Sequence, residues 1–218
     1  VVDVAGTVRR KIAEEIFDYQ VLMDALSMFS KPRDAVTRLL SSEVILRIRK
    51  GLYCFGETYR RKPLSREYIA NLIHGPSCVS LEYALSYHGM IPENVRTVTS
   101  VTCKRSMVIN TPLGLFSYRM LTGGRYAAGL SLESAAGSSF LMATPEKALI
   151  DKVWTDNRFD GRRMSEFTPY LTEDLRIDLV TLRELNRRLV FEIRDAYRSA
   201  KIRNLTTCLE RIWRTGDA

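Results

Sequence analysis

At 218 residues with 45% hydrophobic side chains, the chain is long enough to bury a real core and to form one or two domains, and its 33 Lys and Arg against 25 Asp and Glu leave a net charge of +8. Cys54, Cys78, Cys103 and Cys208 lie far apart, with none in a C-x-x-C pair or beside a histidine at metal-ligand spacing, which argues against zinc and against a disulfide framework and points to a reducing cytoplasm. No signal-peptide order of charged, apolar and small residues is visible and no apolar run reaches the length of a membrane span, so a cytoplasmic protein with no membrane partner is expected, its true N-terminus upstream because no Met opens the chain.

From the N-terminus, Val8, Ile12, Ile16 and Phe17 fall near helical spacing and predict a first helix over Thr7–Phe17; Val21, Leu22, Ala25 and Leu26 predict a second over Val21–Met28. "SMFSKPRD" breaks the pattern, with Ser30 as N-cap and Pro32 in the first turn of a third helix that runs to about Leu40. Val36, Leu39 and Leu40 form its apolar side, leaving Lys31, Arg33, Asp34, Thr37, Arg38 and Ser41 outward. In "LRIRKGLYCF", Leu46 and Ile48 alternate with Arg47 and Arg49, and Lys50-Gly51 turns the chain into Leu52–Phe55. Leu46 and Ile48 are expected to face the small core, with Arg47, Arg49 and Lys50 on the outer side of the hairpin.

Helix, helix, turn, helix and basic hairpin is the order of a winged helix-turn-helix. Residues 31–62 also concentrate the charge, with nine cations against Asp34, Glu43 and Glu57 for a net +6; residues 1–30 come to −2, 63–156 to +1 and 157–218 to +3. Such a cluster attracts polyanions, nucleic acid before anionic membrane, because membrane binding wants a broad apolar helix face that these mixed elements lack. Lys31, Arg33, Thr37 and Arg38 are then placed to reach base edges or phosphates from the third helix, and Arg47, Arg49 and Lys50 to grip phosphates or the minor groove from the wing. The alternative is a solvated face that meets no partner.

After "YRRKP" the character changes. Arg66–Ile73 predicts a helix, "HGPS" a turn, and Leu81–His88 a helix closed by Gly89. Thr97–Thr102 and "MVINTPLGLFSYRM" predict strands, followed by short strands near Tyr126–Leu130 and Ser139–Met142 and then the helix "TPEKALIDKVW", with Thr144 as N-cap and Pro145 at its first position. From Arg162 onward Leu182, Leu185, Leu189 and Ile193 mark helices that either complete this domain or cap it. The expected fold is α+β: a winged helix-turn-helix over 1–62, then 63–218 as a mixed α/β domain with a mainly antiparallel sheet and a helical tail over 157–218.

Catalytic signals are missing. His74 and His88 each sit beside glycine at an element boundary, where capping or packing is expected, and there is no G-x-S-x-G, Walker loop, G-x-G-x-x-G or H-E-x-x-H. "PEKAL" lacks the spacer of a restriction-type nuclease, and "GSS" at Gly137–Ser139 lacks the Asp-x-Asp of a nucleotidyltransferase. No enzyme, cofactor or metal is expected.

The segments "RKGLYCF", "HGPSCVSLEYALSYHGMIPENVRTVTSVT", "TPLGLFSY" and "TPEKALID", in this order over Ile45–Trp154, resemble the AbiEi-type antitoxins of type IV toxin-antitoxin systems and related transcriptional regulators. The resemblance implies a phage-defence repressor that binds inverted repeats of double-stranded DNA in its own promoter and counteracts a nucleotidyltransferase-like toxin encoded beside it. It also implies a middle domain that is neither metal-binding nor catalytic, with Arg47, Arg49 and Lys50 as the foremost DNA contacts. Ser80, Glu82, Tyr83, His88 and Glu146 would define the fold. The competing reading is a stand-alone regulator whose middle domain senses a ligand.

Overall fold

A computed structural model describes residues 3–216. Helix α1 (Val4–Lys11) is capped by the Asp3 carboxylate, which accepts the Gly6 N–H, and it stops at Ile12. The helix expected to continue to Phe17 gives way instead to β1 (Ile16–Asp18). The cause is tertiary: Phe17 points into one core and Ile16 against another, and only the period of two in a strand sends adjacent side chains to opposite sides. Asp18 then caps α2 (Tyr19–Ala25) by accepting the Val21 N–H, so this helix starts and ends earlier than its apolar spacing suggested. In α3 (Pro32–Ser41) Pro32 holds the first position as expected, but the cap falls on Lys31 rather than Ser30, without a side-chain hydrogen bond.

The hairpin β2 (Ile45–Arg49) and β3 (Leu52–Phe55) turns at Gly51, whose φ of +84° is a left-handed value that suits a residue without Cβ. With β1 it forms an antiparallel sheet of order β1-β3-β2. Phe17, Ile45, Tyr53 and Phe55 join Val8, Leu22, Leu26, Ala35 and Leu39 in a small core beneath α1–α3. Arg9 closes this core from one side: its guanidinium lies 4.1 Å from the centre of the Phe55 ring and pairs with Glu15 at 2.8 Å.

Ile48, Leu52 and Cys54 project the other way and are buried in a second, larger core, with Leu46 packed partly against it. The expectation that Leu46 and Ile48 face the small core is therefore wrong. Once Ile45 points toward the helices, alternation sends Leu46 to the opposite face, where apolar partners from the rest of the chain are waiting. Burial raises the Cys54 thiol to about 11, so it packs as a neutral group.

The larger unit begins with α4 (Arg66–Ile73), capped by the Ser65 hydroxyl accepting the Tyr68 N–H. β4 (Ser77–Val79) begins on the last residue of the expected turn and runs over Cys78 and Val79, where no element was expected; it is followed by α5 (Leu81–Tyr87), β5 (Val98–Thr102), β6 (Met107–Thr111) and β7 (Gly114–Met120). The strand expected at Tyr126–Leu130 is replaced by the short α6 (Gly124–Ala127), and strand structure resumes with β8 (Leu130–Ala135) and β9 (Ser138–Ala143). Helix α7 (Pro145–Thr155) follows with Thr144 capping the Lys147 N–H, as its sequence implied.

The six strands are ordered β6-β7-β5-β4-β9-β8. The sheet is mixed: β5 pairs with β7 and β4 with β9 in parallel, while β6–β7, β5–β4 and β9–β8 are antiparallel, so antiparallel pairing predominates as expected. Helix α8 (Phe167–Pro169) runs into a π-turn over Tyr170–Asp174, and α9 (Leu179–Glu184), α10 (Arg187–Tyr197) and α11 (Ala200–Gly216) complete the chain. Leu182, Ile193, Leu205, Leu209 and Trp213 are buried in the same core as Val101, Phe116 and Leu149, so the tail completes this core and is not a separate cap. Among the described residues no helix is long and apolar enough to cross a membrane.

Deleting the Ile48 side chain tests whether the hairpin is held from both sides. Ile48→Ala should lower the urea unfolding free energy by about 2–5 kcal/mol, the usual cost of emptying a packed core site, whereas a hairpin free of the second core would lose well under that.

Candidate nucleic-acid interface

Ala35, Val36 and Leu39 anchor α3 to the small core, which leaves Lys31, Arg33, Thr37 and Arg38 exposed on its outer side. The Lys31, Arg33 and Arg38 side chains have no hydrogen-bond or ion-pair partner among the described residues, whereas the Thr37 hydroxyl donates back to the Arg33 carbonyl at 3.3 Å. Asp34 shares the first turn, where its charge suits the helix N-terminus and moderates the local positive field.

The hairpin does not present its three cations together. Arg47 lies opposite Tyr53 and Ile45 opposite Phe55, so Arg47 is on the side of the helices. Between Arg47 and Arg49 the register shifts, and Arg49 comes opposite Leu52. A bulge of this kind re-aims the side chains beyond it: the Arg49 guanidinium turns toward the larger unit and donates to the Leu72 carbonyl at the end of α4, at 3.3 Å. Arg47 and Lys50 stay exposed without a described partner, Lys50 at the tip beside Gly51.

A second polar region is centred on Lys147 and Asp151, which sequence reading did not single out. Lys147 and Asp151 are fully buried, one helical turn apart on α7, with Nζ and Oδ1 3.2 Å from each other. The Lys147 ammonium also donates to the Arg125 carbonyl at 2.8 Å, the Ser80 hydroxyl donates to Asp151 at 2.6 Å, and the Tyr197 hydroxyl donates to the same carboxylate. The spacing of four was legible, but it reads equally as an exposed ion pair. The other motif residues are also engaged internally: the Tyr83 hydroxyl donates to Glu67, Nε2 of His88 is 2.8 Å from the Ala143 carbonyl, and Glu146 accepts the Asn186 N–H. Among the described residues no group of three or more His, Cys, Asp or Glu is placed to hold a metal ion.

Beside this network, β5, β6 and β7 with the ends of α5 and α7 enclose an open groove of about 570 Å³. Thr97, Thr99 and Ser117 form part of its lining, Val108 and Leu115 bring exposed apolar surface, and Arg119 and Arg158 bring charge. Lys152 spans Glu82 at 2.8 Å and Asp156 at 3.0 Å. Burial opposes ionisation of Asp156, but the Lys152 ammonium and the Arg158 backbone N–H outweigh it and hold the carboxyl well below its ordinary 3.8.

No family model matches the chain, and no curated protein matches it.

Because the folded-state pKa of Asp156 is depressed, its stabilisation is complete above about 3.8 and is lost as pH falls below that value. Asp156→Asn should therefore be less stable than the parent at neutral pH and should show a shallower decline below pH 3.8, measured by urea unfolding over a pH series.

Proposed function

We propose that the chain is a DNA-binding antitoxin and autorepressor, with residues 1–62 as a winged helix-turn-helix and 63–218 as the antitoxin domain, acting in the cytoplasm against a nucleotidyltransferase-like toxin. The observation that carries the reading is that two elements on one small core expose cations with no partner among the described residues: α3 with Lys31, Arg33 and Arg38, and the hairpin with Arg47 and Lys50. Long cations left in water beside a helix of the right width for a major groove are suited to duplex phosphates and base edges. The placement ranks the candidates. Arg47 shares the helix side, Lys50 occupies the tip, and Arg49 must release the Leu72 carbonyl to reach a phosphate.

The test is binding of duplex DNA carrying the chain's own upstream region, followed across a salt series. Substituting Arg33 and Arg38, or Arg47 and Lys50, with Ala should weaken binding, and removing each phosphate-bound cation should reduce the slope of log affinity against log salt by about 1. Arg49→Ala should cost less than Arg47→Ala. Unchanged affinity and slope in both double variants would rule out this face.

The groove bordered by Arg119 and Lys152 favours a second reading, a stand-alone regulator whose larger unit senses a ligand. Co-expression separates the two. An antitoxin rescues growth from a neighbouring nucleotidyltransferase-like toxin, and a stand-alone regulator does not.

A further inference from the structure

The two edges of the six-stranded sheet are treated differently. At one end β6 lies against β2 of the hairpin. At the other end is β8, and beyond the β8–β9 pairing no backbone hydrogen bond reaches Leu130–Ala135 among the described residues. An unpaired edge is normally blunted by proline, lysine, a bulge or a covering segment. β8 has no proline and no cation, its register with β9 is unbroken from Leu130 to Ala135, and its sole charge is Glu133. In mid-strand, Leu132 is 70% exposed.

The direction of the free backbone groups comes from the ladder. The Thr144 N–H donates to the Gly129 carbonyl at 3.0 Å, and these two residues are opposite each other in the β8–β9 register. Hydrogen-bonded and non-bonded pairs alternate along an antiparallel ladder. Ser131, Glu133 and Ala135 therefore bond to β9, while the N–H and C=O groups of Leu130, Leu132 and Ser134 point away from the sheet.

We infer that β8 pairs antiparallel with β8 of a second copy of this chain, about a two-fold axis at Leu132, joining the two sheets edge to edge. This register is selected by overlap and by charge. Centred on Leu132, it bonds Leu132 to its symmetry mate and Leu130 to Ser134, so every outward-facing residue of the strand is satisfied. It stacks the exposed Leu132 side chains on each other and sets Glu133 opposite Ser131. The Ser131 hydroxyl already donates to the Glu133 carboxylate at 2.7 Å within one chain, so the same chemistry serves across the axis. Centring on Glu133 would oppose two carboxylates, and centring on Ser131 would leave Ser134 without a partner. An isologous contact of this kind closes at two copies. Nothing in this pairing depends on DNA binding.

Sedimentation velocity of the whole chain over rising concentration should show a shift from the 24.9 kDa monomer to a species of twice that mass. Ser134→Pro removes an outward N–H without touching a β8–β9 bond and should abolish the dimer while leaving the circular dichroism spectrum unchanged. Leu132→Lys should abolish it as well and serves if the proline variant does not fold. In a Cys103→Ser background, Leu132→Cys should be joined into a covalent dimer by a short bis-maleimide. A chain that stays monomeric at its highest soluble concentration would overturn the inference. So would a dimer that persists in the folded edge variants, a failure of the introduced thiols to cross-link, or an edge that accepts only a strand from a different protein.

Discussion

Burial of both faces of the three-stranded sheet is the constraint on which the remaining arrangement depends. Phe17, Ile45, Tyr53 and Phe55 hold one face to α1–α3, and Ile48, Leu52 and Cys54 hold the other to the larger core. A fully buried aliphatic or aromatic side chain contributes about 1.5–3 kcal/mol, so neither face is released without losing a large part of the stability of a typical domain. The helices and the six-stranded sheet are thus fixed to opposite sides of one hairpin. Only its turn and the polar positions beside it remain available to a partner.

The larger unit is organised around charge as well as apolar surface. Lys147 and Asp151 sit at zero exposure, and the pair is tolerable because Ser80, Tyr197 and the Arg125 carbonyl complete its hydrogen bonding. Breaking such a pair from one side is far more damaging than replacing it whole with apolar residues. Its geometric effect is to tie the start of α5 and the end of α10 to the middle of α7. One turn further along, Lys152 and Asp156 extend the polar line to the groove, where it meets solvent. Close packing continues this theme at Gly129, where a Cβ would meet Ile193 at 2.7 Å and Lys147 at 2.8 Å; no side chain fits between the start of β8 and these helices.

Elements with strong local signals were legible in the sequence. Thr144 and Pro145 mark the start of α7, Pro32 marks α3, and Lys50-Gly51 marks the turn of the hairpin, because a cap, a fixed φ or a positive φ acts within a few residues. Elements held only by partners were hidden. β1 carries helical spacing and becomes a strand because β3 offers an edge. β4 is three residues of "HGPSCV" and is a strand because it bridges β5 and β9.

The candidate interface divides in the same way. The sequence by itself determined that residues 31–62 are strongly basic, that α3 has one apolar side, and that Arg47, Arg49 and Lys50 flank a tight turn, since charge, helical period and turn chemistry are local properties. Tertiary structure alone decided that Leu46 and Ile48 serve the second core, that a bulge sends Arg49 to the Leu72 carbonyl, and that the Lys147–Asp151 pair is buried. Each of these depends on which surface the far part of the chain brings into contact, and an i, i+4 spacing or a strand alternation has the same form whether that surface is protein or water.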